Sequence, residues 1–487
     1  MYNIDSISPQ LSKSSAQGPI SSLPVELLRK IIGFVYGANC QQRYFSLEAE
    51  LDSEWVEVKP TSPSLFPYAV ASVCTWWRDI MALIPEYWTR IVVIIDAPSP
   101  SPISVESCFQ WSQNLPLNVY VTRSNPLPLN YCLSEPDRQR ELAQVTLVMN
   151  SLRSNVLRCK KIHFDVVHSS SLPSIPEDFH GTAPYLRELE LICHVDDDES
   201  PGRYEMDTAR KWDFYCPELS DLALNGANFA ASLQLLGSPK TLDSLKVGHY
   251  KAAHHLQWPL HLRDVCSVLL RNPQMRLHSL AFEDVEFEVD DAPLPYDHPP
   301  LFVKSFDFHS IKSDDITRIL RFVQWTTFTT QINFTQCPVG ELSIPLRPGR
   351  LRFKEIAVDQ DLSVPLRKWV GDVLYVSASP CFDDKLLYQL GGGGSPLYIP
   401  RSGGGDPHRQ FVCPLGKLYL DGCTNFSVAA LKQMIKGRLE ARFLDRWSLE
   451  RIIVYPIVQL TVSGGPPLRI EDREWLDANV QHFIWEP

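Results

Sequence analysis

One spacing recurs through most of this 487-residue chain: an apolar residue, two of any kind, an apolar, one of any kind, an apolar. It occurs at Leu186/Leu189/Leu191, Leu219/Leu222/Leu224, Leu242/Leu245/Val247, Leu277/Leu280/Phe282 and Val303/Phe306/Phe308. It returns at Phe353/Ile356/Val358, Leu415/Leu418/Leu420 and Leu449/Ile452/Val454. So loose a pattern arises by chance, but two further features give it weight. A proline stands one to four residues before six of the eight matches (Pro184, Pro217, Pro239, Pro273, Pro300 and Pro414), so each strand-like run begins after a break. Between Leu186 and Val303 the starts advance by 33, 23, 35 and 26 residues, a spacing typical of stacked repeats.

Composition narrows the classes further. With 44% apolar residues the chain can bury a large core, and its 39 prolines argue for many short elements rather than long helices. Dividing the length by about 150 residues gives roughly three domains, although a repeat array grows as one body. A formal charge of −11 repels phosphate backbones, so no nucleic acid is expected as a partner. The longest strongly apolar run, Ile91 to Ile95, is far short of the ~20 residues that cross a bilayer. The start, MYNIDSISPQ, lacks a basic stretch followed by an apolar one, and no two of the 12 cysteines are spaced C-x-x-C. These features predict a soluble intracellular protein, cytoplasmic or nuclear, with reduced thiols and no membrane contact.

Residues 1–19 are poor in apolar side chains and are expected to be disordered. A helix is predicted from Pro24, whose missing N–H and fixed φ suit a first turn, with Ser22 placed to cap it. Glu26 sits where the helix dipole favours a negative charge, and Leu27, Leu28, Ile31, Ile32 and Val35 form an apolar stripe. A second helix is expected over Ala69–Ile80, followed by Pro85-Glu86-Tyr87-Trp88 and the β-branched run Ile91–Ile95.

Singly, each piece reads as an ordinary core helix. In order, Leu-Pro-x-Glu-Leu-Leu-x-x-Ile-Ile, Val-Cys-x-x-Trp-Arg-x-Ile and Pro-x-x-Trp-x-x-Ile resemble an F-box. That three-helix module docks onto the Skp adaptor of cullin–RING (SCF-type) ubiquitin ligases. The segment Phe109–Tyr120 is similar to the stretch after the F-box in a large fungal group of these proteins. The resemblance covers about the first quarter of the chain. It implies a module over residues 20–95, with about twenty residues more than usual between Val35 and Val73, inserted at about 37–60. It also implies that Leu23, Pro24, Leu27, Ile31, Val73, Cys74 and Trp77 stay exposed and bind the adaptor, and through it a cullin. Burying a large apolar side chain is worth about 1.5–3 kcal/mol, so a handful of such contacts sustains docking.

Residues 96–137 are read as a linker, and 138–487 as the repeat body. Its best unit, Leu415–Cys423, fits L-x-x-L-x-L-x-x-C and is followed by Val428, Leu431, Met434 and Ile435 at helical spacing. It resembles one strand–turn–helix unit of a leucine-rich repeat. The expected fold is therefore α/β: a helical module, then an irregular leucine-rich-repeat-like solenoid with parallel strands. An α/β domain of unrelated topology remains the alternative. A solenoid offers a broad face suited to capturing a protein target, whose identity the residues do not reveal. Trp212, Trp258, Trp325 and Trp369 are candidate anchors, with core packing the more ordinary role.

Other signals are set aside. Gly391–Gly394 and Gly403–Gly405 lack the G-K-S/T that opens a helix after a phosphate loop. His249, His254, His255 and His261 show no zinc-ligand spacing, and Asp196–Glu199 no EF-hand spacing, so no metal or cofactor is expected. The leading expectation is a non-catalytic substrate receptor of a ubiquitin ligase, serving ubiquitin-dependent protein degradation. The alternatives are a scaffold whose helical start caps the solenoid, and an enzyme with a dispersed active site.

Overall fold

The computed structural model describes residues 23–41, 66–96, 103–124, 133–197, 214–232, 242–255, 260–271, 276–288, 302–322, 329–342, 346–367, 369–391, 413–444 and 455–486. The expected disordered start, residues 1–19, and most of the expected insertion lie outside them. The chain divides into two compact units, residues 1–92 with 97–115 and residues 93–96 with 116–487.

The first unit contains α1 (Val25–Gln41), α2 (Tyr68–Ala71), α3 (Thr75–Ala82), a 3-10 turn (Pro85–Trp88), the start of β1 (Arg90–Ile94) and α4 (Val105–Trp111). The carbonyl of Pro24 accepts from the N–H groups of Leu27 and Leu28 at 3.0 and 3.1 Å, which starts α1 where a proline at the corner predicts. The single helix expected over 69–80 is two, because Cys74 is extended (φ −162°, ψ 166°) and interrupts it. Leu28, Ile32, Ile80, Met81 and Trp88 form the core. The Trp88 indole donates to the Met81 carbonyl at 2.9 Å and packs on Trp111 at 4.5 Å. Residues 96–137, expected as a linker, carry α4 and a strand. Cys108, Phe109, Leu117, Val119 and Val121 in that stretch are all buried, and the alternation of Leu117–Thr122 is a strand signal.

The second unit is built on β2 (Leu117–Thr122), β3 (Cys159–His168), β4 (Glu188–Val195), β5 (Asp221–Asn225), β6 (Ser244–Tyr250), β7 (Arg276–Val285) and β8 (Phe302–His309). It continues with β9 (Gln331–Thr335), β10 (Arg350–Lys354), β11 (Val373–Ser377), β12 (Lys417–Asp421), β13 (Gln459–Ser463) and β14 (His482–Glu486). Between them lie α5 (Glu135–Leu152), α6 (Ile175–Asp178), α7 (Gly226–Ser232), α8 (Leu262–Arg271), α9 (Ser313–Phe322), α10 (Ser363–Arg367), α11 (Asp384–Leu390), α12 (Val428–Leu444) and α13 (Ile470–Asn479). The fold is α/β with a 14-stranded all-parallel sheet, and the spatial order of the strands is their order in the chain. Each strand thus pairs only with its sequence neighbours, the pattern of a repeat array.

Register explains the recurring apolar spacing. Its second residue forms one ladder, Leu189, Leu222, Leu245, Leu280 and Phe306, and its third another, Leu191, Leu224, Val247, Phe282 and Phe308. The second ladder continues into a phenylalanine stack, with centroids 6.2 Å apart from Phe282 to Phe308, then 5.8 Å to Phe334 and 5.4 Å to Phe353. The leading residues Leu186, Leu219, Leu242, Leu277, Val303 and Leu415 are buried as well.

Two matches fare differently. In β10 the buried residues are Leu351 and Phe353, so the expected run Phe353/Ile356/Val358 is out of register and Val358 is 70% exposed. The match at Leu449/Ile452/Val454 lies outside the described residues. Among the strands the matches missed, β13 and β14 do carry the spacing, at Ile457/Leu460/Val462 and Val480/Phe483/Trp485, whereas in four others the leading position is not a large aliphatic. Thr329 precedes β9, Pro348 precedes β10, Gly371 precedes β11, and Cys159 leads β3.

Candidate partner-docking site

The apolar residues of α1 belong to two stripes rather than one. Leu28 and Ile32 are fully buried, whereas Leu27, Ile31 and Phe34, at i, i+4 and i+7, are 47%, 45% and 79% exposed. Val73, just before α3, is exposed, as are Pro24 and Cys74, while Leu23 and Trp77 are half-buried. None of the seven residues implied to dock is buried within the chain. Phe34 and Leu83 are exposed apolar residues that the sequence reading did not single out. Phe34 was legible from its spacing to Leu27 and Ile31. Leu83 follows the last turn of α3, where periodicity carries no signal. Leu27, Ile31 and Phe34 thus leave one apolar side of α1 exposed to solvent. In the same unit Tyr36, Phe66 and Tyr87 pack with centroids 4.9–5.3 Å apart.

The open face of the sheet is the second surface. Between the buried ladders run polar ones, and their charge changes sign along the array. From β3 to β8 they carry Asp165, Glu188, Glu190, Asp221, Glu283 and Asp307. Most are engaged: Lys161 meets Glu188 at 2.6 Å and Glu190 at 3.2 Å, and Lys246 meets Glu283 at 2.5 Å. Burial alone would raise the Glu190 carboxyl, but His163 and Lys161 hold it down to about 2. Glu283 is held well below the usual carboxylate range, chiefly by its contact with His309 at 3.2 Å. From β10 to β12 the same face carries four cations, Arg350, Arg352, Lys354 and Lys417, against one carboxylate, Asp421, which accepts from Ser377 Oγ at 3.0 Å.

Of the clusters set aside from sequence, Asp196, Asp197 and His255 sit in internal clasps, and Asp198 and Glu199 lie outside the described residues. Asp197 accepts from Ser169 Oγ and Ser170 Oγ, each at 2.7 Å, and meets Arg138 at 2.6 Å. Asp196 pairs with His255 at 2.9 Å, and that ring stacks on Tyr250. Among the described residues no group of three His, Cys, Asp or Glu is placed to hold a metal ion. Gly391 closes α11, and the remaining glycines of both runs lie outside the described residues. Trp369 is buried and donates to the Pro348 carbonyl at 2.8 Å, a core role, while Trp212, Trp258 and Trp325 lie outside the described residues.

The chain matches no protein-family model and no curated protein. The reading of its function therefore rests on residues and geometry. No helix among the described residues is long and apolar enough to cross a membrane.

Proposed function

We propose that this chain is a non-catalytic substrate receptor of an SCF-type cullin–RING ubiquitin ligase. In this reading the first unit is an F-box-like module, and the parallel sheet belongs to an irregular leucine-rich-repeat-like solenoid that captures a protein target. The observation that carries it is the uncovered stripe Leu27, Ile31 and Phe34 on the helix that begins at the Leu23-Pro24 corner, together with exposed Val73. Three short helices cannot enclose all their apolar residues, and an adaptor supplies the missing cover. The receptor makes no bond itself. It raises the effective concentration of target lysines near the ubiquitin-charged enzyme.

The test is co-elution of the full-length chain with a purified Skp-type adaptor on size exclusion. Wild type is expected to co-elute, and Leu27→Ser/Ile31→Ser to elute alone with an unchanged circular dichroism spectrum. Wild type eluting alone, or the double variant co-eluting equally, overturns the proposal.

A further inference from the structure

Arg350 and Arg352 occupy alternate positions of β10 and are fully on the open side, where the strand alternates exposed and buried. One strand away lies Tyr375, and its neighbour in the ladder is Tyr419 on β12. The two phenol rings stack at 4.2 Å with planes 10° apart. On β12 Lys417 lies on one side of Tyr419 and Asp421 on the other, both exposed, and Asp421 accepts from Ser377 Oγ at 3.0 Å. Among the described residues neither Arg350, Arg352 nor Lys417 meets a carboxylate, unlike Lys161 and Lys246 farther along the same face. In a chain of net charge −11, unpaired cations beside a stacked aromatic pair call for an explanation.

We propose that the open face of β10–β12 binds an extended acidic peptide segment of a partner protein. Arg350 and Arg352 would take carboxylates two residues apart, and the Tyr375–Tyr419 pair an apolar side chain between or beyond them. The spacing fits, because i and i+2 side chains in any extended strand are roughly 7 Å apart. Guanidinium groups bind carboxylates through paired, planar hydrogen bonds, and an exposed arginine already in place gives up little hydration to do so. A long polyanion fits less well, since the carboxylates of β3–β8 on the continuing face repel it.

The inference names the target chemistry for the receptor reading and shares its assumption that this face captures a partner. Its test is independent of the adaptor. A short fluorescein-labelled peptide of alternating Glu and Leu is titrated with the full-length protein by fluorescence anisotropy. Wild type is expected to bind, and Arg350→Glu/Arg352→Glu to lose at least about tenfold in affinity. Tyr419→Ala, which keeps the charge, is expected to lose a few-fold. Lys160→Glu/Lys304→Glu makes the same change in net charge at exposed positions elsewhere and is expected to bind as wild type does. Thermal melts of all three variants confirm folding. Absent binding by wild type, equal loss in both charge-reversed variants, or tighter binding of single-stranded DNA of equal charge overturns the inference. Adaptor co-elution run on the same samples separates the two proposals: Arg350→Glu/Arg352→Glu is expected to retain it, and its loss in wild type would leave the peptide result standing alone.

Discussion

The guanidinium of Arg438 donates to the carbonyl oxygen of Cys413 at 2.9 Å, and its other bonds are also to main-chain carbonyls. It reaches Leu415 at 2.7 Å, Leu390 at 2.9 Å and Tyr455 at 3.0 Å. The side chain is fully buried in α12, and burial pulls its pKa down. Leu390 and Cys413 bracket the glycine-rich segment, so one residue ties together the chain before and after it.

Arg438→Met is therefore expected to destabilise the protein by roughly 3–5 kcal/mol, because several buried carbonyls lose a charged donor together. Arg438→Lys should recover only part of this, since an ammonium group cannot span the fork. Denaturant midpoints check both; a change below about 1 kcal/mol for the Met variant would show that water replaces the clasp.

A second repeat is written in the backbone. His249, Asp284, Ser310, Gln336, Glu355 and Ala378 all have φ between 45° and 54°, and Gly422 and Gly464 have 61°. Each immediately follows the open-face position of its strand. From Ser310 onward the N–H of each donates to the neighbouring strand's end carbonyl, as in Ala378 to Asp421 at 2.8 Å. Alanine is costly in this left-handed region, whereas glycine is not. Ala378→Gly is expected to stabilise by about 0.5–1 kcal/mol and Gly422→Ala to destabilise by a similar amount or more, read from paired thermal melts.

The contrast between the two repeats explains what the sequence made legible. Burial of Leu, Val and Phe selects side chains, so six apolar runs could be read directly and placed strands correctly. The left-handed turn selects a backbone shape that His, Asp, Ser, Gln, Glu and Ala all tolerate at modest cost, so no letter announces it. The exposed stripe of α1 was half legible for a related reason: Leu27 and Leu28 are equally apolar, and only the fold of the first unit decides which one is buried. The charge reversal between Glu283 and Arg352 needed the strand register, which links residues far apart in the chain.

Histidines on the open face predict a pH dependence. His309 is raised above its ordinary 6.5 by its hydrogen bond to Glu283, and His194 by its bond to Asp165 at 2.8 Å. A base raised on folding adds stability in full below its unfolded value and loses it as pH climbs through the folded one. Glu283, held low, adds stability above 4.5 and keeps it until pH falls well below that. The contacts thus contribute most between about pH 4.5 and 6.5. Because the imidazoles are 36% and 46% exposed, the loss on going to about pH 8 should be at most about 1 kcal/mol. It should disappear in His194→Gln/His309→Gln; denaturant midpoints with the same pH slope in both proteins would exclude these pairs as the cause.

Thiol reactivity tests the docking face without a mutation. Of the ten described cysteines Cys74 alone is exposed. Burial pushes the thiols of Cys108, Cys159, Cys216 and Cys266 up to about 12. Since the thiolate is the nucleophile, Cys74 should be alkylated at least about a hundredfold faster than these at neutral pH. Peptide mapping after a brief iodoacetamide pulse reads this. A Skp-type adaptor bound across Cys74 should slow that one site and no buried one; uniform rates with and without adaptor would place docking elsewhere.

Adjacent isoleucines in α1 give the sharpest contrast. Ile32 is fully buried, and truncation leaves a cavity that costs about 2–4 kcal/mol. Ile31, 45% exposed, loses contacts mostly with water, so its truncation should change stability by less than about 0.5 kcal/mol. Ile32→Ala should therefore lower the denaturant midpoint while Ile31→Ala leaves it in place. For adaptor binding the order inverts: Ile31→Ala should weaken it directly, and Ile32→Ala only as far as the helix loosens. If instead Ile31→Ala destabilises as strongly as Ile32→Ala, the outer stripe is covered by this chain itself and has no surface to offer a partner.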